Sequence, residues 1–325
     1  MANNRLLITG ATGFVGKWTL RHWRAAHPDV EIWATSDRPD DLGTLADTYA
    51  CLDLRDEAAV HEFVGACRPR HVIHLGGLVG NGPLAEHLAV NVVGTDNLYS
   101  ALTQVDHAQE TRVVQAGTAA VYGPVTAEEL PISEKNPLRP LTVYALGKMT
   151  QDCLADLFRR TRGLDVVRAR LFNLLGPGQP EHLVPATFVR QLQGMRDGQA
   201  LAVGNLAPRR DFVDVRDAAS AFDRLLATGR SGDAYNVGSG VSVAIHRILD
   251  ELLDISGLYG ICVREEAGRV RSNDAPDVYA DTTAITRDTG WQPRIPLRES
   301  LEAMWHQAGG NLEGTPVLQG EPSKS

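Results

Sequence analysis

The chain has 325 residues, of which 43% are hydrophobic and 22% are charged, and its formal net charge at pH 7 is −8. This length and composition predict a globular protein with a sizeable core, in one large or two closely joined domains. The negative charge argues against a nucleic acid or an anionic membrane as the main partner. No apolar run approaches the ~20 residues that span a bilayer, and the four cysteines lack metal-site spacing, so we expect no metal.

The start of the chain predicts a strand, Arg5–Thr9, followed by a helix over 14–26. A glycine-rich turn joins them. Gly10 allows a tight turn, Gly13 lets a phosphate approach the backbone, and Gly16 lets the helix pack closely on the strand. The first turn of the helix adds unpaired N–H groups and the positive end of a dipole. The turn therefore predicts a site for a dinucleotide pyrophosphate.

Strands and helices alternate through the first part of the chain. The further predicted strands are Val30–Thr35, Tyr49–Asp53, Arg70–Leu75, Arg112–Gly117 and Asp165–Leu171, and the further helices are 56–67, 86–107 and 144–162. This alternation predicts an α/β fold, a Rossmann-type doubly wound parallel sheet with helices on both faces. Because a strand begins almost at the first residue, we expect no secretion signal and a cytoplasmic location.

The regular alternation ends at a loop rich in Gly and Pro. We expect residues 1–175 to form a dinucleotide-binding domain, with late strands of its sheet contributed by the 205–240 region. Residues 176–308 are expected to form mostly a smaller, mixed α/β substrate-binding domain. The tail 309–325 is rich in Gly, Pro, Ser and Glu, and we expect it to be disordered.

A second pattern pairs Tyr144 with Lys148. Residues four apart share a helix face, so a phenol and an ammonium group would lie side by side. A nearby cation favours the phenolate and lowers the pKa of the tyrosine, which suits Tyr144 to general acid or base chemistry. Alone, the pair is better explained as part of a solvated helix face, since such pairs occur by chance on many helices. However, the predicted strand Arg112–Gly117 lies upstream and ends at a hydroxyl residue, Thr118.

With these residues the chain resembles the extended short-chain dehydrogenase/reductase family, in the branch that acts on nucleotide sugars. The resemblance covers residues 5–305. In chain order, the motifs that carry it are the glycine turn at 10–16, Asp53-Leu54, His74-Leu75-Gly76-Gly77, Asn91-x-x-Gly94-Thr95, Thr118 to Gly123, the Tyr144/Lys148 pair, Arg170-Leu171-Phe172-Asn173, Gly176-Pro177-Gly178, Arg210-Asp211-Phe212-Val213-x-Val215-x-Asp217 and Gly290-Trp291-x-Pro293.

The resemblance implies three catalytic residues. Tyr144 would exchange a proton with the sugar oxygen while hydride passes between that carbon and the nicotinamide. Lys148 would lower the pKa of Tyr144 and hold the nicotinamide ribose. Thr118 would bind the same sugar oxygen, although a Thr at a strand end is also satisfied by backbone groups.

The resemblance also implies residues that bind the nucleotide sugar. Thr118 and Asn173 would contact it, and Arg210 and Arg271 would clamp its diphosphate. Guanidinium groups suit two-point phosphate binding. The alternative for each arginine is local pairing, with Asp211 or with Asp274.

The cofactor would be NAD or NADP. The residues expected to bind it are Gly10, Thr12, Gly13, Phe14, Val15, Gly16, Ser36, Asp37, Arg38, Asp53, Leu54, Leu75, Gly76, Gly77, Asn91, Tyr144 and Lys148. Asp37 can bind the ribose 2′-hydroxyl of NAD, whereas Ser36 and Arg38 can hold the 2′-phosphate of NADP. We favour NADP as the cofactor, and NAD remains the alternative because of Asp37.

Two departures from the family pattern lie near this site. Gly147 replaces a usual Ser, and Gly76-Gly77 replaces a usual Ala pair. We expect the missing side chains to leave more room near the cofactor.

The family also commonly dimerises through a four-helix bundle built from the Tyr144 helix and the 86–107 helix. Apolar residues at Leu154, Leu157 and Phe158 would permit such a homodimer, or could belong to the core.

Three reactions are considered for this branch. Dehydration needs an additional acid/base pair, and the positions after Thr118 hold Ala119 and Ala120, which cannot move a proton. The run 118–123 is similar to epimerases. We favour reduction of the 4-keto group of a nucleotide-linked 4-keto-6-deoxyhexose because three other segments, 131–140, 172–179 and 271–276, resemble GDP-4-keto-6-deoxy-mannose reductases. A 4-epimerase with tightly bound NAD is the alternative, and a non-catalytic dinucleotide-binding regulator is a third reading.

Overall fold

The computed structural model describes residues 4–105, 110–266 and 275–309. Two compact units share the chain. Unit 1 holds the described residues of Met1–Leu175, Arg209–Val243 and Ala275–Ile295, and unit 2 holds those of Gly176–Pro208, Ala244–Asp274 and Pro296–Ser325.

The strands in chain order are β1 Arg5–Thr9, β2 Glu31–Ser36, β3 Thr48–Cys51, β4 His71–His74, β5 Arg112–Thr118, β6 Asp165–Leu171, β7 Asn173–Leu175, β8 Ala200–Val203, β9 Arg209–Asp214, β10 Ala234–Val237, β11 Ser242–Ala244, β12 Cys262–Glu265 and β13 Asp277–Val278. The helices are α1 Phe14–Ala26, α2 Glu57–Cys67, α3 Leu84–His87, α4 Gly94–Leu102, α5 Val143–Arg162, α6 Val184–Gln193, α7 Val215–Thr228, α8 Ile245–Ser256, α9 Thr283–Thr289 and α10 Leu297–Gln307.

Unit 1 contains a seven-stranded sheet in the order β10-β6-β5-β4-β1-β2-β3. All its strand pairs are parallel. The chain leaves the sheet at the β3 edge and returns beside β1 as β4, so the strand order reverses between β1 and β4. In sheets of this kind, ligands bind beyond the carboxyl ends of the strands at such a reversal. The predicted Rossmann-type fold is confirmed.

The sheet is buried on both faces, as parallel sheets with helices on either side usually are. Successive side chains of β1 show this directly. Leu6 and Ile8 pack in one cluster with Leu20 of α1 and Phe222 of α7. Leu7 points to the other face and packs in a second cluster with residues of α2, α4 and α5. The core thereby holds the ends of β1 and β4 level, with Thr9 opposite His74.

Helix α5 carries the Tyr144/Lys148 pair and begins where the sequence predicts. The Thr142 side chain caps it by accepting a hydrogen bond from the Ala145 N–H at 3.0 Å. Gly163 ends it in the left-handed conformation, with φ of 69°. Basic residues fill the last turn, where they oppose the negative end of the helix dipole.

The single helix predicted over 86–107 is interrupted in the structure. It consists of α3, a π-helical segment Leu88–Val93, and α4. The π-helical segment buries Asn91, and such wide turns are frequent at functional sites. The predicted residues 106 and 107 lie outside the described part of the chain.

Residues 275–295 lie within the range 176–308 that is expected to be mostly substrate-binding domain, but they belong to unit 1. The physical reason is packing, since Ile285 and Trp291 lie in the core cluster of α1 and α7. In addition, the Trp291 indole N–H donates to Ser220 Oγ at 3.0 Å. From the 205–240 region, β10 joins the seven-stranded sheet.

Unit 2 is a smaller arrangement of α6, α8 and α10 with one parallel pair of strands, β8 and β12. Arg298 at the start of α10 contacts the carboxylates of Glu251 and Asp254 on α8. The tail 309–325, predicted to be disordered, lies outside the described residues apart from Gly309. In the described ranges, no helix combines the length and apolar character needed to cross a membrane.

Candidate active site

The glycine turn follows β1 and lies against the loop after β4. Gly10 has a φ of 67°, and a Cβ atom there would lie 2.8 Å from the backbone of Leu75 and Gly76. A Cβ atom at Gly16 would lie 2.3 Å from the Gly10 carbonyl oxygen, so only glycine lets α1 pack this closely. Gly13 precedes α1 and has no side chain to cap it. The first turn of α1 also has no acidic residue, so its N–H groups suit a phosphate.

The end of β2 supplies a buried and an exposed part of the predicted cofactor site. Ser36 is buried, and its Oγ accepts a hydrogen bond from the Thr12 N–H at 3.0 Å. The side chains of Asp37 and Arg38 are 74% and 82% exposed and lie 3.9 Å apart. The hydroxyl of Ser36 is therefore tied to the glycine turn, while the two charged groups extend into solvent.

The predicted Asp53-Leu54 motif follows β3. The Asp53 carboxylate accepts hydrogen bonds from the Arg55 Nε at 3.0 and 2.9 Å and from the Arg55 Nη2 at 2.6 Å. The Arg55 side chain thereby lowers the pKa of Asp53. Leu54 packs against the loop after β4, since a Cβ atom at Gly76 would lie 2.9 Å from its Cδ1. Leu54 thus reaches the predicted site, whereas Asp53 pairs with its own neighbour.

Gly76 and Gly77 do not leave the extra room that we expected. A Cβ atom at Gly76 would also lie 3.1 Å from Thr9 Oγ1, and one at Gly77 would lie 2.8 Å from Asn91 Oδ1. The space is filled by neighbouring side chains, and the glycines allow this close approach. At Gly147 a Cβ atom would make ordinary contacts, the nearest at 3.5 Å.

Asn91 fixes the loop after β4. Its Oδ1 accepts from the Leu78 N–H at 2.7 Å, and its Nδ2 donates to the Leu78 carbonyl at 3.1 Å. Asn91 is fully buried. The side chain predicted to bind cofactor therefore shapes the loop that carries Gly76 and Gly77.

The structure brings Thr118 and Tyr144 together. Thr118 ends β5, and its Oγ1 accepts from the Ala120 N–H at 3.2 Å. Burial raises the pKa of Tyr144, and a hydrogen bond with Thr118 offsets part of that rise. The sequence argument expected a lowered pKa for Tyr144. The direction is reversed because the cost of burying a phenolate outweighs the hydrogen bond that favours it.

Lys148 lies one helical turn along α5 and is 6% exposed. Burial lowers its pKa to about 8, against the opposing influence of the Asp152 carboxylate. Its Nζ donates a hydrogen bond to Gln151 Oε1. A Cβ atom at Gly77 would lie 3.8 Å from Nζ, which places the ammonium group beside the loop after β4.

A buried polar network behind Lys148 was not predicted. The His74 ring lies 2.7 Å from Thr9 Oγ1 through Nδ1 and 2.9 Å from Thr95 Oγ1 through Nε2. Gln151 Nε2 donates to Thr95 Oγ1 at 2.7 Å. Burial, with the Lys148 charge, lowers the pKa of His74 to about 3, so the ring is neutral. The sequence signals for this network are the motifs that contain His74 and Thr95 and the spacing of Gln151, three residues after Lys148 on a helix.

A second network begins at Asp152. Its carboxylate pairs with the Arg170 Nε at 2.9 Å, and the two side chains are 2% and 5% exposed. Arg170 Nη1 also donates to the Tyr122 hydroxyl at 3.0 Å. That hydroxyl donates in turn to Asn236 Oδ1 at 2.7 Å. Burial raises the pKa of Tyr122 to about 12, so it remains a phenol.

Two of the residues predicted to bind the nucleotide sugar, Asn173 and Arg210, hydrogen-bond to backbone carbonyl groups. Asn173 is exposed, and its Nδ2 donates to the Asp211 carbonyl at 3.1 Å. Arg210 Nη1 donates to the carbonyls of Arg209 and Ala275, at 2.6 and 2.7 Å. Asp211, the alternative partner of Arg210, accepts from the N–H groups of three other residues, Ser239, Gly240 and Ala280. Arg271 lies outside the described residues.

The cysteines and the acidic residues of the described ranges form no metal-binding cluster. All four cysteines are free thiols. Across residues 4–105, 110–266 and 275–309, no three His, Cys, Asp or Glu side chains are arranged to hold a metal ion.

Comparison with known proteins identifies the family. The profile of the family described as GDP-mannose 4,6 dehydratase matches residues 7–304. GDP-6-deoxy-D-mannose reductase from Pseudomonas aeruginosa is 33% identical over 312 residues, which cover 92% of this chain and 95% of the relative. GDP-6-deoxy-D-talose 4-dehydrogenase from Aggregatibacter actinomycetemcomitans is 26% identical over 308 residues, covering 93% of this chain and 97% of the relative.

A solved structure agrees with these relatives. The protein RMD from Pseudomonas aeruginosa, complexed with NADPH, matches with a TM-score of 0.82 and 30% identity, covering 94% of this chain and 98% of that chain. The family predicted from the motifs is therefore confirmed. The chain belongs to the GDP-mannose 4,6-dehydratase family, and it is an NAD(P)-dependent enzyme of the extended short-chain dehydrogenase/reductase class.

Proposed function

We propose that this protein reduces the 4-keto group of a nucleotide-linked 4-keto-6-deoxyhexose. The observation that carries the proposal is the hydrogen bond between the Tyr144 and Thr118 side chains, one helical turn before Lys148. The Tyr144 phenol is protonated at neutral pH, and burial raises its pKa further. Reduction of a ketone requires a proton donor at the oxygen, which a protonated phenol supplies.

When bound, the dinucleotide would supply a hydride to C4 of the sugar and leave as the oxidised cofactor. Tyr144 would donate its proton to the carbonyl oxygen, so that the ketone becomes an alcohol. The Thr118 hydroxyl would bind the same oxygen and hold it near the phenol. Lys148, whose pKa is about 8, is mainly an ammonium at neutral pH. It would hold the ribose and stabilise the phenolate left after proton transfer.

Two observations favour reduction over dehydration. After Thr118, a short 3-10 turn contains Ala119 and Ala120, neither of which can transfer a proton. Both relatives compared above are named for the reduction or the dehydrogenation of a GDP-linked 6-deoxyhexose. A GDP-linked sugar is accordingly the first substrate to test.

We propose NADPH as the preferred cofactor. The Arg38 side chain is 82% exposed next to the end of β2 and can turn toward a 2′-phosphate. The related structure from Pseudomonas aeruginosa is a complex with NADPH. The glycine turn, Ser36 and Leu54 would line the dinucleotide site. Asn173, Arg210 and Arg271 remain proposed contacts of the nucleotide sugar.

We also propose that the protein is a homodimer that pairs α5 with α4 and the π-helical segment. Support comes from apolar side chains exposed on these elements, Leu146, Leu157 and Val93. Phe158, which was considered for this surface, instead packs in the core. Sedimentation analysis of Leu157→Glu should show monomers if this surface pairs, whereas an unchanged oligomer would place the interface elsewhere.

The activity is tested with GDP-, dTDP- and UDP-linked 4-keto-6-deoxy sugars, with NADH and NADPH, by following the nicotinamide absorbance. The native protein should oxidise NADPH in stoichiometric amounts. Tyr144→Phe should lower turnover by about 100-fold or more while dinucleotide affinity stays within a few-fold. Unchanged turnover in that variant would contradict the proposal. Epimerisation without net cofactor oxidation would favour the 4-epimerase, and binding without turnover would favour a regulator.

A further inference from the structure

We propose that Gln151 is a positioning residue for Lys148, and that its side-chain amide is held for this task by Thr95, which is in turn held by His74. This inference rests on the proposed function insofar as Lys148 serves the reaction. It concerns three residues for which the sequence suggested no part in the chemistry.

The orientation of the Gln151 amide follows from its neighbours. An ammonium group has only donors, so the amide must turn its oxygen toward Lys148. Its nitrogen then donates to Thr95 Oγ1 at 2.7 Å. The Thr95 hydroxyl donates to the Asn91 carbonyl at 2.7 Å, so its oxygen is free to accept from the amide. A flipped amide would place two donors against each other at Lys148.

The network is rigid because its members are buried and each is held from a second side. Gln151, Thr95 and Thr9 are fully buried, and His74 is 1% exposed. Thr9 Oγ1 holds the far nitrogen of the ring at 2.7 Å and also accepts from the Gly76 N–H at 3.0 Å. The end of β1, the end of β4 and helix α5 are therefore joined through these side chains to one ammonium group.

The choice of an uncharged partner has an electrostatic consequence. Asp152, the acidic group whose charge acts on Lys148, is itself paired with Arg170 at 2.9 Å and accepts from the Gln115 amide at 3.3 Å. His74 is neutral because burial and the Lys148 charge lower its pKa to about 3. Gln151 thus fixes the position of the Lys148 ammonium without cancelling its charge. That charge stays available to the phenolate of Tyr144 and to ribose hydroxyls.

The chain offers a direct test because it has only four lysines, at positions 17, 135, 148 and 324. NMR of protein labelled with ¹³C at the lysine Cε atoms would give few signals, and Lys148→Arg would assign the one of interest. We expect that signal to titrate with a midpoint at about 8. Gln151→Met removes the acceptor and should lower the midpoint by about 1 unit, whereas Gln151→Glu adds a carboxylate and should raise it by about 1 unit.

The control is the same substitution at another buried amide, Gln115→Met, which removes contacts to Tyr99 and Asp152. It should lower stability to a similar extent and move the Lys148 midpoint by less than either Gln151 variant. Thermal melting would show whether each variant is folded. If Gln151→Met does not fold, the midpoint of Gln151→Glu tests the inference. Midpoints in both Gln151 variants that equal the native value would overturn the inference.

A kinetic measurement separates this inference from the proposed function. In the reductase assay, the pH at which activity is lost on the alkaline side should move down in Gln151→Met and up in Gln151→Glu. A role limited to folding would lower activity at every pH without moving that limb. If the native protein reduces no keto sugar, the proposed function fails while the NMR titration still decides the role of Gln151.

Discussion

Replacement of Asp152 with asparagine should destabilise the protein strongly, since it breaks a buried ion pair. The carboxylate lies 2.9 Å from the Arg170 Nε, and both side chains are almost fully buried. Asparagine preserves the size of the side chain but leaves the guanidinium charge uncompensated. The Tyr122 hydroxyl, which accepts from the same guanidinium at 3.0 Å, is a dipole and cannot replace a charge.

The magnitude follows from the burial of the pair. Removing one partner of a buried ion pair costs about 3–5 kcal/mol. For a chain of 325 residues, whose unfolding entropy is about 0.7 kcal/mol/K, that loss lowers the melting temperature by roughly 4–7 °C. Asp152→Asn also removes a negative charge that raises the pKa of Lys148, so that pKa should fall below about 8. Stability and the alkaline limit of activity should therefore both decrease.

The assay is urea unfolding, followed by circular dichroism, alongside a control on the same helix. Asp156 pairs with Arg159 at 3.0 Å and Arg160 at 3.5 Å, but these groups are 35% or more exposed. Asp156→Asn should therefore cost less than about 1 kcal/mol. The double variant Asp152→Asn, Arg170→Met should recover part of the loss, since no charge is left unpaired. A cost for Asp152→Asn as small as that for Asp156→Asn would refute this reasoning.

Three further outcomes are expected. The rate of keto-sugar reduction should fall as pH rises through about 8, because Lys148 loses its proton there. The Tyr144 phenol stays protonated in this range because its pKa is raised. A rate that does not change through this range would contradict the role of Lys148. Gly10→Ala should weaken dinucleotide binding in fluorescence titrations by about tenfold or more, since its Cβ atom would lie 2.8 Å from backbone atoms. The matched control Gly43→Ala has a similar φ of 53° in open space and should leave binding unchanged. Arg38→Ala should raise the KM for NADPH by about tenfold and leave that for NADH unchanged; equal changes would place the 2′-phosphate elsewhere.

The elements of unit 1 could be predicted because apolar periodicity is a local property. Predicted strand Asp165–Leu171 matches β6, and predicted helix 144–162 differs from α5 by one residue. The π-helical segment Leu88–Val93 could not be predicted, since the extra residue per turn depends on burying Asn91 against the loop at Leu78. Local spacing also missed the grouping of residues 275–295 with unit 1, which depends on core packing.

The candidate site shows the same division between local and tertiary information. A spacing of four placed Tyr144 and Lys148 on one predicted helix face, and the family resemblance then implied their catalytic roles. The direction of the Tyr144 pKa was wrong, because spacing reveals a nearby cation but not burial. Gln151 was missed because its partner Thr95 lies 56 residues earlier in the chain. The expectation of free space at Gly77 failed for a similar reason, since Asn91 fills it.

The turn after β5 is held in place at both ends and has two alanines at its start. Thr118 begins it as the last residue of β5, and Tyr122 is fixed at its other end by Arg170 and Asn236. Between these anchors stand Ala119, which is half-buried, Ala120, which is exposed, and Val121, which is buried. Val121 packs in the core with Tyr122, so the side chains at 119 and 120 can change while the strand and the tyrosine keep their places. Under the proposed function, these two positions are where a further acid or base group could be gained beside Thr118.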